Sequence, residues 1–145
     1  MSADEVMAAE PAPFAAASAF SLDRANRALV LVRKVVAEIM AGYRELTELR
    51  VESDRLRAAA TDQPQVELVQ DRLEACALRL KRLAAELTRI GCVLKDCRTG
   101  LVDFPAVYRG RRVWLCWRYN EPQVGHWHEL DDGYPGRKPA GDDFR

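Results

Sequence analysis

The chain has 145 residues with 22 Lys plus Arg against 22 Asp plus Glu, which leaves room for one modest hydrophobic core. The even balance, with a pI near 6.7, excludes a global field that would draw the protein toward nucleic acid or anionic lipid. Residues 1–20 hold three acids and no base, 21–90 hold 13 bases and 11 acids, and 91–145 hold nine bases and eight acids, so no region is strongly polarised.

Residues 1–19 place Asp4 and Glu5 where a secretory signal carries Lys or Arg, and Pro11 and Pro13 interrupt any apolar run. They read as a disordered Ala/Pro-rich arm. With no export signal and no apolar run of the ~20 residues needed to cross a bilayer, the expectation is a cytoplasmic protein with reduced thiols and no membrane partner.

Residues 20–90 read as a helical hairpin. Leu22, Ala25, Leu29, Val32, Val36, Ile39, Tyr43 and Leu46 recur at spacings of three and four, the rhythm of one helix face. Ser21 is a good N-cap, and Asp23 puts an acid in the first turn. A second stripe, Val66, Val69, Leu73, Cys76, Leu80, Leu83, Leu87 and Ile90, repeats the rhythm; Asp62 or Gln63 can cap it, Pro64 suits its first turn and Gly91 can close it. A turn near Ala60–Gln63 makes facing partners whose residue numbers total about 122, as in antiparallel coiled-coil-like pairs. Leu22, Ala25 and Leu29 then overhang the second helix, so the chain after Gly91 should cover the start of the first. Helix one is also apolar at Val30, Leu31, Val35 and Met40, a flank that the C-terminal module or a second copy forming a homodimer would have to bury.

All three tryptophans, both histidines and three of the four cysteines fall between Cys92 and His128. Val93–Lys95, Leu101–Phe104, Arg112–Trp117 and Gln123–His128 are β-prone, separated by turn signals at Arg98–Gly100, Arg109–Gly110 and Asn120–Pro122. They predict a small antiparallel β-meander over 91–130 that packs on the hairpin as one domain. Residues 131–145, rich in Gly, Asp and Pro, read as a loop and a frayed tail. The fold class is α+β.

Gly91, Lys95-Asp96, Gly100-Leu101-Val102-Asp103-Phe104-Pro105, Leu115-Cys116-Trp117-Arg118, Glu121, Trp127-His128 and Gly136-Arg137 resemble the signature of a bacterial family catalogued as domain of unknown function 2203. The likeness runs from Phe20 to Pro139. Asn120 stands where that pattern has Gly, and Cys92, Cys97 and His126 fall outside it. The resemblance implies a helical pair with a small C-terminal module and carries no activity.

Asp103 lies inside an apolar run and needs a partner, which Arg118, Arg137 or His128 would supply. Cys116, between Leu115 and Trp117, reads as a small apolar filler. The catalytic candidates are Asp103, Cys116, Glu121 and His128. His126 and His128 project to one face of a strand roughly 6–7 Å apart and, with Cys116, are the residues that would hold a metal. No paired metal signature accompanies them, so no metal or cofactor is expected outright. Arg118, Trp117, Trp127 and Arg137 are the candidate binding residues, for a protein partner, an anionic ligand or, less in keeping with the charge balance, a nucleic acid.

The leading functional reading is a non-enzymatic cytosolic protein-interaction or self-associating module, homodimeric through helix one. The alternative is a small metal-binding protein or enzyme with its site in the β-module.

Overall fold

The computed structural model describes residues 19–60 and 62–145. The expected disordered arm therefore lies, apart from Ala19, outside the described residues. Helix α1 spans Leu22–Ala58 and α2 spans Gln63–Ile90. Ser21 caps α1 through its hydroxyl, which accepts from the Arg24 N–H at 3.1 Å. Pro64 sits in the first turn of α2, and Gly91 closes it at φ 111° in the left-handed region.

The helices lie antiparallel in the expected register. A Cβ at Gly42 would come within 2.9 Å of Leu80, so the absent side chain is what lets the two helices approach there. Beside it the Cys76 thiol donates to the Gly42 carbonyl. Farther along the seam, Arg79 reaches Glu38 and Arg57 reaches Gln70. Val32, Val36, Ile39, Leu46, Leu80 and Leu87 are fully buried between the helices and the sheet.

The sheet is a five-stranded antiparallel meander in chain order: β1 Val93–Asp96, β2 Leu101–Tyr108, β3 Arg111–Arg118, β4 His126–Glu129 and β5 Lys138–Pro139. β3 is central. Val102, Phe104, Ala106, Val113, Leu115 and Trp117, all fully buried, form the face that joins the helical core. Asp103, Trp114, Cys116, His126 and His128 alternate with them and occupy the other face.

β2 runs four residues past the expected end at Phe104, straight through Pro105. β1 pairs with β2 only as far as Asp103, so Pro105 lies where that side of β2 has no strand to receive an N–H. Its carbonyl accepts from the Phe20 N–H at 2.6 Å, and the Phe20 ring meets Phe104 edge-on. The module thus grips the start of α1, as the overhanging stripe predicts. Asn26 makes a reciprocal pair with Val124, donating to its carbonyl at 3.1 Å and accepting from its N–H at 2.8 Å. Arg33 reaches the carbonyls of Tyr119, Glu121 and Pro122.

One expectation needs correction. The tail over 131–145 is not a loop with a frayed end. Tyr134–Gly136 forms a 3-10 turn, Lys138–Pro139 pairs with β4, and Phe144 is buried in a stack on Tyr108. Asp143 accepts from the Tyr108 hydroxyl at 2.6 Å and from Arg109 at 3.0 Å, pinning the end of the chain to the β2–β3 hairpin. The C-terminal module covers part of the extra apolar flank of α1, one of the two ways expected for burying it. Val35 is buried, and the β1–β2 turn lies on Val36 and Met40, both of which a Cβ at Gly100 would approach within 2.9 Å. Val30 and Leu31 alone of that flank stay well exposed, at 68% and 54%.

Candidate functional site

Strand pairing assembles the polar centre of the outer sheet face. Asp103 on β2 stands directly opposite Cys116 on β3, and Cys116 stands opposite His126 on β4. His128, opposite Trp114, is diagonal to Cys116. Facing residues of an antiparallel pair have Cβ atoms only ~5 Å apart. One carboxylate oxygen of Asp103, the Cys116 sulfur and a ring nitrogen of His128 accordingly all lie within 4.8 Å of one another. Asp103 and His128 are 3% exposed and Cys116 0%.

His128 has an oxygen at each ring nitrogen: Glu129 O at 2.8 Å from Nδ1 and Asp103 Oδ2 at 3.1 Å from Nε2. A backbone carbonyl only accepts, so Nδ1 carries its proton. A second proton is then shared between Nε2 and Asp103 Oδ2. Burial opposes charge on His128, but the Asp103 carboxylate and the Glu129 carbonyl outweigh it and raise its pKa above the usual value. Asp103 Oδ1 is buried without a hydrogen-bond partner, a costly position for a carboxylate oxygen.

Cys116 is a protonated thiol here. Burial, followed by the Asp103 carboxylate, pushes it up to about 12 against the opposing pull of Arg137. A nucleophilic role needs a depressed pKa and access to solvent, and Cys116 has neither.

Glu121 does not join Asp103 and His128 in a common cleft. The turn after β3 bends its carboxylate back to the Arg118 N–H at 2.8 Å and to a bidentate pair with Arg137 at 2.9 and 2.6 Å. Burial works against ionisation of Glu121, but these donors hold its pKa below the usual value. His126 points toward this pair, its Nδ1 3.8 Å from Glu121 Oε2. The four catalytic candidates thus resolve into a buried Asp103–Cys116–His128 cluster and a neighbouring Glu121–Arg137 clamp.

The stacking surface drawn from Trp117 and Trp127 is also corrected. Trp117 is fully buried on the helix-facing side, with its indole N–H donating to the Glu121 carbonyl and Arg33 over its ring. Trp127, 7% exposed, packs against Tyr108 and Phe144. Strand alternation sends both rings inward, where no base or partner reaches them. Arg118 remains at the surface beside Tyr134, in an open pocket with Asp96, Thr99 and Leu101. Asp143, which sequence reading passed over, holds the tail through Tyr108 and Arg109; no periodicity marks a two-residue strand.

No disulfide joins Cys76, Cys92, Cys97 and Cys116, and no described helix is long and apolar enough to cross a membrane. A helical hairpin capped by an antiparallel meander, with one buried acid–thiol–imidazole cluster on the outer face, defines the class of protein. The chain belongs to the family described as uncharacterized conserved protein (DUF2203), whose model matches residues 18–140. No curated protein and no solved structure matches it.

Proposed function

We propose that the protein is a small metal-binding protein that holds one divalent transition ion, with zinc the best fit, on Asp103, Cys116 and His128. The observation that carries this reading is the convergence of three different ligand types within 4.8 Å in a buried position, together with the unpartnered Asp103 Oδ1. Zinc takes sulfur, imidazole nitrogen and carboxylate oxygen together. The Glu129 carbonyl on His128 Nδ1 is the outer-sphere acceptor that turns Nε2 toward an ion. The charges also balance: the ion replaces the thiol proton and the proton shared by Asp103 and His128, leaving one thiolate, one carboxylate and a neutral imidazole around a double positive charge. A reducing cytoplasm keeps such a thiol available.

The role is binding rather than turnover, because burial at 0 to 3% exposure leaves no open cleft for a substrate at these three side chains. For self-association through the extra apolar flank of helix one, that flank offers the exposed Val30–Leu31 step. A stable dimer buries about 800 Å² on each partner, far more than two side chains provide.

The test is metal analysis of the full chain purified without a histidine tag. The reading predicts about one equivalent of zinc per chain, as a single buried site requires, and its loss in Cys116→Ala and His128→Ala. Metal-free wild-type protein that also fails to take up zinc from a buffered solution would refute it.

A further inference from the structure

Three ligands leave a tetrahedral ion one short, and the outer face holds a fourth group. Among the described residues, the buried side-chain nitrogen or oxygen atoms with no hydrogen-bond partner are Asp103 Oδ1 and His126 Nδ1. Both residues face Cys116 directly, Asp103 from β2 and His126 from β4. Both unpartnered atoms thus belong to residues paired with Cys116, and leaving a buried polar atom unsatisfied is costly; His126 itself stands outside the 4.8 Å cluster of Asp103, Cys116 and His128.

The group now nearest His126 Nδ1, Glu121 Oε2 at 3.8 Å, is beyond hydrogen-bond reach. Glu121 has no need of it, since Arg137 and the Arg118 N–H already hold that carboxylate. The His126 side chain is 34% exposed, against 4% for His128. It therefore stands on the rim between the cluster and solvent. Cross-strand Cβ atoms ~5 Å apart let a side-chain rotation bring an imidazole nitrogen toward the cysteine's sulfur without moving the backbone.

We propose that His126 is the fourth ligand of the ion held by Asp103, Cys116 and His128, closing the site from the solvent side. This rests on the metal-binding reading above and goes beyond it, because a four-ligand site has no open position and is structural. The ion staples β2, β3 and β4 together and keeps β5, which pairs with β4, against the sheet.

The experiment is reconstitution of the metal-free full chain with Co²⁺, followed by visible absorption, for wild type, His126→Ala and His128→Ala. Wild type should give the intense d–d bands of a tetrahedral centre with sulfur-to-metal charge transfer. Loss of an outer-sphere partner alone costs 10–100-fold in metal affinity, so His126→Ala should weaken Co²⁺ binding at least about tenfold and shift the bands toward higher coordination. Added imidazole should restore the tetrahedral spectrum, a rescue that a merely structural role for His126 would not give. His126→Ala with wild-type affinity and spectrum, while His128→Ala abolishes binding, overturns the fourth-ligand assignment and leaves the three-ligand site standing. Failure of wild type itself to bind Co²⁺ or Zn²⁺ overturns both.

Discussion

Asp103 shows how much a single residue can disclose. A carboxylate inside Leu101-Val102-Asp103-Phe104 demands a partner on charge grounds alone, and His128 was among those its surroundings allowed; the structure places them 3.1 Å apart. Removing one member of such a buried pair strands the other. His128→Ala in metal-free protein is therefore expected to lower unfolding free energy by about 3–5 kcal/mol. Asp103→Ala combined with it should cost less than the two single changes added. Denaturant titration of the four proteins in a double-mutant cycle checks this, and strictly additive costs would show that the pair is not coupled. Cys116 was harder to read. Its place between Leu115 and Trp117 reads as filler, and an apolar filler and a thiol in a polar cluster look alike until the neighbouring strands are placed. Glu121 was misgrouped for the same reason. Its direction is set by Arg137, which lies beyond a loop whose path the local sequence does not encode.

At the scale of elements, spacing made the helices legible because a 3.6-residue repeat sustained over 37 and 28 residues has one interpretation. The overhang of Leu22, Ala25 and Leu29 even placed the sheet. The contacts that lock it were invisible, since Asn26 is one polar residue on a helix. Its two hydrogen bonds to Val124 tie α1 to the β3–β4 loop. Asn26→Ala leaves a donor and an acceptor of Val124 unmatched and is expected to destabilise the protein by about 1–3 kcal/mol, read as a lower midpoint in urea. The tail was missed because β5 has two residues, one of them Pro139, which is too short for any period. Its anchor is acid-sensitive. The Tyr108 hydroxyl and Arg109 hold the Asp143 carboxyl below its ordinary value of 3.8. A group with a depressed folded-state pKa contributes fully above the unfolded value and loses that contribution as pH falls through the folded one. The fluorescence of Trp127, beside Phe144, should therefore change as pH drops below about 3.8 in wild type. In Asp143→Asn the same change should already be present at neutral pH. An unchanged signal in Asp143→Asn would show that this anchor does not hold the tail.

For the whole molecule, the hairpin and sheet divide the work. The helices and the inner sheet face supply the apolar core, which frees the outer face of the same sheet to hold polar groups at fixed cross-strand distances. An ion there would bind the folded chain and not the unfolded one, adding stability by mass action. Zinc K-edge X-ray absorption on the zinc-loaded full chain tests that arrangement most directly. The account predicts one sulfur scatterer at about 2.3 Å with nitrogen and oxygen scatterers near 2.0–2.1 Å, and loss of the sulfur shell in Cys116→Ser. A first shell of oxygen and nitrogen alone, or zinc retained with its sulfur shell intact in Cys116→Ser, would contradict it.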